Sequence, residues 1–432
     1  MIHVPTGDAI PPQRQHCGGG VVGPVSNTTQ PKIVVALHDG YYGCTSGTGF
    51  SNQALLEVLT RALPLGRLLV MPVHIRRSDP SYDSAWVAET ERIVQRAGAE
   101  VVPVPGGRAA TAALAGCEAL CERVTEVARE HLARAPMAHL VGLDIPFLGL
   151  GLHRRADDPF SLLLVPRSTS ELASPEDRRR IHWERRGLTA AVSGGARVAA
   201  ISHHMRGHLE QVYDIPRHAV VDLPNGLLLS DHEDLPSAPL PPRARAGFLL
   251  AMGRAVESKG FEDLLEALHL LKVQGTHVPH LVLAPTTHAE GLTDYQRRLQ
   301  AMVRDYAIDS TFLSRFSPRY RSWLRSPALR GVVVPSRAEP FGRIPLEAFA
   351  SGATPVVATR AGGLTETVVD GVTGFAAEAR DPMDLAWAIR RALHISARSV
   401  SRCVLGAGRC SRPGTTTRPR SAPTCASTPP GR

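Results

Sequence analysis

Two glutamates lie on either side of a predicted helix start. Glu339 and Glu347 are eight positions apart in EPFGRIPLE, which follows the apolar run GVVVPS. Pro345 suits an early helical position and Gly352 suits a C-terminal cap, so the pattern predicts a strand, a loop carrying Glu339 and a helix carrying Glu347. Carboxylates accept hydrogen bonds from hydroxyl groups, so the pair can bind a sugar or a ribose.

The same helix start also predicts a phosphate site. Backbone N–H groups of Phe341, Gly342 and Arg343 would point out of the first turn, where the helix dipole favours an anion. A single glutamate at such a position is more often only a loop or helix-start acid. The whole segment favours a site that holds both the sugar and the phosphates of a sugar nucleotide.

A glycine-rich turn offers a second place for an anion. It is TSGTGF, after the first apolar run KIVVALH, and its Gly47 and Gly49 would permit close approach of the backbone. A plain strand-to-helix turn explains the two glycines about as well. The helix that follows is predicted over 51–63, with Ser51 or Asn52 as its cap.

Short apolar runs alternate with helical patterns along most of the chain, which indicates doubly wound parallel sheets. The proline-rich stretch SDHEDLPSAPLPPRARA divides them into two series. The predicted fold class is α/β, with two doubly wound, Rossmann-like parallel-sheet domains facing a central cleft. The predicted organisation is a disordered extension (1–30), a first domain (31–229), a linker (230–246), a second domain (247–392) and an aberrant basic tail (393–432).

Charge and composition exclude several classes of function. Of the net charge of +9, seven positive charges lie in 393–432, so the body has no basic stripe for nucleic acid. No apolar run is long enough to span a membrane and the start lacks signal-peptide features, so we expect a cytoplasmic protein. Seven cysteines, an odd number, argue against a disulfide framework. The tail reads as disordered or, the interpretation we favour, as the product of a shifted reading frame.

With these motifs in place, the chain resembles the glycogen-synthase-like, family-4 retaining glycosyltransferases of the GT-B fold. Their E-x₇-E motif matches Glu339 to Glu347, and FLLAMGRAVESKGFEDLLEAL matches their second-domain segment with Gly-Arg and Lys-Gly. The stretch AAISHHMRGHLEQVYDIPRHAVVDLPNGL matches a segment that usually lines their cleft. The resemblance covers roughly residues 32–392.

The resemblance implies roles for individual residues. Glu339 would contact the donor sugar and Glu347 the nucleotide ribose, while Arg254 and Lys259, beside Gly253, would neutralise the donor diphosphate. Fixed cations would then replace the metal that other transferases need, so no metal or other cofactor is expected. His204 and His208 are a poor zinc pair, because no base stands between them at the usual spacing.

Three departures from the family pattern concern the acceptor side and the end of the chain. Arg167 stands where related enzymes often have histidine, so Arg167, Ser168 and Asp144 are the candidates near the transferred sugar. APTTH replaces a glycine-rich turn, and the crossing helix that ends the family fold would fall in the tail. The acceptor pocket is predicted around HDGYYGCTSGTG, where Asp39 and Tyr41 suit a polar cyclitol or sugar.

The expected function is a retaining, metal-independent transfer of a sugar from a nucleotide-sugar donor, with a UDP-sugar favoured, to a hydroxyl of a small-molecule acceptor. An aminoglycoside-like acceptor in antibiotic or other secondary-metabolite biosynthesis is the favoured substrate class. Two alternatives stay open: a sugar-nucleotide epimerase or phosphorylase of the same fold, and an inactive nucleotide-binding relic. Nucleic acid and stable membrane insertion are not expected.

Overall fold

The computed structural model describes residues 32–133, 135, 137–228, 238–288, 291–353 and 355–395. The predicted disordered extension, the first part of the predicted linker and nearly all of the predicted tail lie outside these residues. Within the described ranges, no helix is both long and apolar enough to cross a membrane.

The first domain is a seven-stranded sheet flanked by helices. Its strands, all parallel in the order β3-β2-β1-β4-β5-β6-β7, are β1 Lys32–Leu37, β2 Leu68–Pro72, β3 Glu100–Val101, β4 Ala138–Leu143, β5 Ser161–Val165, β6 Arg197–Ala200 and β7 Val220–Asp222. Its helices are α1 Gly47–Ala62, α2 Ser84–Arg96, α3 Gly107–Ala112, α4 Leu114–Leu132, α5 Ser170–Ala173, α6 Arg178–Ser193 and α7 His203–Gln211. Short 3₁₀ helices run over Ile145–His153 and Arg217–Ala219.

The second domain is a six-stranded parallel sheet in the order β10-β9-β8-β11-β12-β13. Its strands are β8 Phe248–Arg254, β9 His280–Thr286, β10 Ser310–Phe312, β11 Leu329–Val334, β12 Val356–Thr359 and β13 Phe375–Ala377. Its helices are α8 Phe261–Val273, α9 Asp294–Asp305, α10 Arg343–Ala350, α11 Leu364–Thr367 and α12 Pro382–Leu393, with 3₁₀ turns at Pro242–Ala246, Glu257–Lys259 and Pro318–Arg325.

The strand orders explain where a site can form. The first sheet reverses its winding between β1 and β4, and the second does so between β8 and β11. Loops that leave neighbouring strands in opposite directions open a crevice at the carboxyl ends, which is where doubly wound sheets bind ligands. The loops after these four strands carry Asp39, Asp144, Lys259 and Glu339. The α/β class with two Rossmann-like parallel-sheet domains is therefore confirmed.

Apolar packing on both faces makes each sheet rigid at this edge. Val34 and Ala36 of β1 belong to one core cluster, while Val35 and Leu37 belong to the other, and all four are completely buried. Such two-sided burial is typical of parallel strands. The second sheet is likewise covered on both faces by separate clusters.

One predicted helix start differs from the observed one, and another agrees with it. Helix α1 begins at Gly47 rather than at 51, because Ser46 is the cap: its extended backbone (φ −160°) lets the hydroxyl accept from Thr48 N–H. Gly47 and Gly49 therefore lie in the first helical turn. Helix α10 begins at Arg343, as predicted, and Pro345 is its third residue; Gly342 adopts the left-handed conformation that ends the preceding loop.

A buried polar network joins α5, α6 and α7. Glu184 is fully buried and accepts hydrogen bonds from Ser170 N–H (3.0 Å), from its hydroxyl and from Tyr213 Oη (2.6 Å). His208 contacts Thr169 Oγ1 through Nε2 at 2.8 Å. Burial raises the pKa of Glu184 and lowers the pKa of His208 to about 4.

The depressed pKa of His208 predicts an acid-sensitive fold. An unfolded histidine titrates near 6.5, so between about pH 6.5 and pH 4 the unfolded chain binds a proton that the folded chain does not. The free energy of unfolding should therefore fall as the pH drops through this window. In His208→Gln the amide can still bond Thr169 but does not titrate. We expect its free energy of unfolding to fall by about 1–2 kcal/mol less than that of the wild type between pH 7 and pH 5.

Urea unfolding of both proteins at the two pH values measures this difference. The raised pKa of Glu184 acts with the opposite sign in an overlapping window, but it is common to both proteins and cancels in the comparison. Equal pH dependence in the two proteins would contradict the assignment to His208.

Candidate active site

Two glycines let the second-domain loops approach each other at the carboxyl edge. Gly260 has φ +62°, and a Cβ there would lie 2.1 Å from the Pro335 carbonyl oxygen. Gly342 has φ +91°, and its Cβ would lie 2.7 Å from Leu364 Cδ2. Both positions need the left-handed conformation that glycine adopts freely, and at Gly260 the neighbouring carbonyl also leaves no space for a side chain. The loop after β8 is thereby held against the loop after β11.

This approach joins Lys259 to Glu339. The Lys259 ammonium donates to Glu339 Oε2, which also accepts from Ser336 Oγ at 3.2 Å. The side chains are 15% and 13% exposed, so the pair is largely withdrawn from water but open to the cleft. Its charges balance each other.

Arg254, at the end of β8, differs from Lys259 in having no such partner. Its guanidinium is exposed on the cleft and makes no hydrogen bond or ion pair to any residue that the structure describes. Gly253 lies beside it, where an added Cβ would meet Phe261 and Lys259 at ordinary contact distances. Arg254 is thus a cation available to a ligand.

Glu347, in α10, is fixed by two arginines. Arg343 Nε donates to Glu347 Oε1 at 2.9 Å, and Arg321 Nε lies 3.9 Å from Oε2. Both guanidiniums lie over the Phe50 ring of the first domain, at 5.2 and 4.4 Å from its centroid. Arg343 also donates to Ser51 Oγ at 3.3 Å, so Glu347 is tied to the opposite wall of the cleft.

Arg167 lies deep in the first domain. It donates through Nε to Asn52 Oδ1 at 2.6 Å, to the Asn225 side chain, and to the Ser51 carbonyl oxygen at 3.2 Å. Burial lowers its pKa to about 10, an effect that Asp144 opposes. Arg167 therefore keeps its charge at neutral pH, although its direct partners are neutral.

The turn after β1 is organised by Asp39. Its carboxylate accepts from Thr45 N–H at 3.1 Å, from Thr45 Oγ1 at 3.0 Å and from Ser46 Oγ at 3.1 Å. Gly49 is required here, because a Cβ would lie 3.0 Å from Asp39 Oδ1. Gly47 lies on the cleft opposite Arg343.

Tyr41 requires a correction. Its ring is 5% exposed and packs in a core cluster of the first domain, edge-on to Tyr42 at 4.9 Å, instead of lining the acceptor side of the cleft. Burial raises the pKa of its hydroxyl. The ring packs inward against core residues, which the local sequence did not reveal.

The cleft contains two adjoining pockets of opposite character. The cationic pocket has four cations and one carboxylate among its lining side chains: Arg167, Arg254, Lys259, Arg343 and Glu339. The helix-start residues Phe341 and Gly342 also line it. The acidic pocket has three carboxylates and two guanidiniums: Asp39, Asp79, Asp144, Arg180 and Arg254. The pockets meet at Arg254, Ser46 and Ser168.

Contacts between the domains close the cleft on its far side. Ser202 Oγ donates to the Pro340 carbonyl oxygen at 2.7 Å. Glu366 of the second domain accepts from His203 N–H at 3.0 Å and His204 N–H at 2.8 Å, at the start of α7. A carboxylate at a helix N-terminus is favoured by the helix dipole. Arg206, by contrast, pairs with Asp222 and Glu210 away from the cleft.

Four residues at the cleft were missed by sequence reasoning: Phe50, Arg321, Glu366 and His38. The contacts of the first three come from the other domain, so no local pattern marks them. His38 directly follows β1, and its place at the carboxyl end of a strand could have indicated it. Among the described residues, no group of three or more histidine, cysteine or acidic side chains is placed to hold a metal ion.

Comparison with known proteins finds similar sequences and a similar fold. Residues 237–403 match the family described as Glycosyl transferases group 1. The chain is 34% identical over 220 residues to the D-inositol 3-phosphate glycosyltransferase of Frankia alni, covering 48% of this chain and 52% of that one. It is 34% identical over 161 residues to a glycogen synthase of Mycobacterium tuberculosis, covering 37% and 36%. The chain thus spans about half, or less, of the length of these relatives.

A solved structure extends the likeness to both domains. Anabaena HepE, in complex with UDP and glucose, aligns over 88% of this chain and 95% of its own, with a TM-score of 0.61 and 20% identity. That likeness concerns the fold. Residues 237–403 are therefore similar to the glycosyl transferases group 1 family, in a chain whose two parallel-sheet domains have the GT-B fold.

Proposed function

We propose that this protein is a retaining glycosyltransferase that uses a nucleotide-sugar donor, with a UDP-sugar favoured. The observation that carries the proposal is the cationic pocket, where four cations meet one carboxylate at the switch points of two doubly wound sheets. A nucleoside diphosphate supplies the missing negative charge. Relatives named as glycosyltransferases support the same reaction.

The residues that line the cleft have distinct roles in this proposal. Arg254, Lys259 and the amides near Gly342 would bind the diphosphate, and Glu347 would accept from a ribose hydroxyl. Glu339 would accept from the donor sugar once the diphosphate takes over its contact with Lys259. Gly47 would let the first domain approach the phosphates.

The reaction follows from these contacts. The acceptor hydroxyl forms the new bond to the anomeric carbon on the face from which the diphosphate leaves, and the departing phosphate oxygen takes the hydroxyl proton. Charge that develops on the leaving group is stabilised by fixed cations, and one such contact contributes about 3 kcal/mol. The described residues supply this charge without a metal, so we propose a metal-independent transfer.

The proposed acceptor is a small polyol, aminoglycoside-like and belonging to secondary-metabolite or antibiotic biosynthesis. The acidic pocket beside Arg254, lined by Asp39 and Asp144, supports an acceptor rich in hydroxyl groups. A relative named for an inositol phosphate supports a cyclitol-sized molecule.

Nucleotide binding gives the first prediction. In a thermal-shift panel of UDP, GDP, ADP and dTDP with their sugars, we expect UDP and UDP-sugars to stabilise the protein most. A ligand at 100 times its Kd adds about 2.7 kcal/mol, which raises the melting temperature measurably. Glu347→Gln should weaken the shift, whereas Glu378→Gln, an exposed glutamate paired with Arg360, should not. A cooperatively melting protein that responds to no nucleotide would refute the proposal.

Arg254 gives the second prediction. Arg254→Gln should lower kcat by roughly 10²- to 10³-fold, because a fixed charge at the leaving diphosphate is lost. Arg245→Gln is the matched control, since Arg245 is an exposed arginine that precedes β8 at the opposite end of the strand. Initial rates of UDP release measure both. An Arg254→Gln enzyme with the wild-type kcat would remove Arg254 from the mechanism.

Metal removal gives the third prediction. Initial rates should agree within about twofold between EDTA and added Mg²⁺, because arginine and lysine supply the charge stabilisation. Loss of activity in EDTA that Mg²⁺ or Mn²⁺ restores would show that a metal takes part.

The stereochemistry of the product tests the retaining reaction. In NMR spectra of the same mixtures, the new glycosidic bond should have the anomeric configuration of the donor. A changed donor sugar in mixtures without acceptor would instead favour an epimerase.

A further inference from the structure

Asp144 has a backbone conformation that is rare for residues other than glycine, and it lies at the switch point of the first sheet. It directly follows β4, with φ 75° and ψ −179°. Glycine is the only residue that adopts this region freely. The conformation is held by the Asp144 N–H bond to the Val165 carbonyl oxygen (2.9 Å) and by the Phe147 N–H bond to the Asp144 carbonyl oxygen (3.1 Å).

The carboxylate of Asp144 is buried without being satisfied. The residue is 7% exposed, and its Oδ1 has no hydrogen-bond partner among the described residues. His38 Nε2 lies 3.9 Å from Asp144 Oδ2, and His38 Nδ1 likewise has no partner in the described chain. Buried polar groups in folded proteins are nearly always bonded, so an unbonded pair at the edge of a pocket requires a reason.

A comparison within the chain shows what a structural aspartate looks like here. Asp158, whose side chain is only 1% exposed, accepts from Arg129 Nε at 2.6 Å through Oδ1 and from Arg155 N–H at 2.8 Å through Oδ2. Asp39 likewise uses its oxygens to organise a turn. Asp144 has neither arrangement, and it faces the acidic pocket.

The charges around Asp144 select the kind of ligand. Asp39, Asp79 and Asp144 line the acidic pocket against Arg180 and Arg254. Arg254 also lines the cationic pocket, and Arg180 is already engaged with the Thr111 carbonyl oxygen at 2.9 Å. With Arg254 occupied by the diphosphate, three carboxylates face one guanidinium. A phosphate on the acceptor would be repelled, whereas hydroxyl and ammonium groups would be bound.

We propose that the acidic pocket takes a polyol acceptor that carries hydroxyl or ammonium groups and no phosphate, and that Asp144 Oδ1 accepts a hydrogen bond from it. This inference rests on the proposed function and narrows its acceptor. It separates the chain from the relative whose name specifies an inositol phosphate.

Direct binding of three probes tests the inference. The probes are myo-inositol, inositol monophosphate and 2-deoxystreptamine, and their affinities are measured on the full chain by ligand-observed NMR, with and without UDP. We expect the two uncharged or cationic probes to bind at least roughly tenfold more tightly than the monophosphate. Asp144→Gly should lower the affinity for these two probes roughly tenfold, as expected for the loss of a hydrogen bond to a charged group.

Thermal melting separates a ligand-binding role from a structural one. Asp144→Gly should raise the melting temperature, because glycine adopts this backbone freely and the unpaired carboxylate disappears. Asp158→Gly is the matched control and should lower it, since two satisfied hydrogen bonds are lost. A lower melting temperature for Asp144→Gly would indicate that the carboxylate supports the fold.

The inference is overturned if the monophosphate binds most tightly, if none of the three probes binds, or if Asp144→Gly keeps the wild-type affinities. UDP stabilisation measured on the same samples reports on the donor site separately. A protein that binds the probes but no nucleotide would contradict the proposed function and leave the acceptor chemistry supported.

Discussion

The contact that the cleft depends on most is the one Arg343 makes with both domains. Its guanidinium bonds Glu347 in its own helix, donates to Ser51 across the cleft and lies over Phe50. A buried glutamate without a cation would be costly, and a buried arginine without an anion equally so. The first domain adds Ser51 and Phe50 to this pair, which couples the ribose side of the predicted donor site to the arrangement of the two sheets.

Around this contact, charge is divided between two sides of one cleft. The cationic pocket and the acidic pocket share Arg254, so a diphosphate bound on one side would change the balance on the other. Because Lys259 and Glu339 already neutralise each other, the unpaired charge that a ligand meets first is Arg254. Specificity for an anionic donor and against an anionic acceptor can then come from the same few side chains.

The loops at the carboxyl ends of the strands contain both residues that relieve backbone crowding and a residue that is held in a strained conformation. Gly260 relieves crowding where backbone must approach backbone, and Gly342 does so beside the Leu364 side chain, whereas Asp144 keeps a side chain in a conformation that suits glycine. Residues held in such regions persist only where the surroundings enforce them, and they are frequent at ligand sites. The hydrogen bonds of the Asp144 backbone to Val165 and Phe147, next to the largely buried strand β4, supply that enforcement.

The sequence by itself determined the elements and their class. Apolar runs alternating with helical patterns predicted two parallel-sheet domains, and the spacing from Glu339 to Glu347 placed a loop acid and a helix acid at one sheet edge. These features are local: a strand's hydrophobicity or a cap's side chain acts within a few residues of itself. For the same reason the α1 start was misplaced, since Ser46 and Ser51 are both acceptable caps until the turn held by Asp39 selects one.

Only the tertiary structure decided which side chains meet. Nothing near Glu347 in the sequence indicates Phe50 or Ser51, nearly 300 positions away, and nothing near Tyr41 shows that its ring turns into the core. The unbonded oxygen of Asp144 is likewise a property of its surroundings and not of its residue type. Burial, partner choice and the division of charge between the pockets depend on how two sheets pack, and that packing is a sum over contacts distant in the chain.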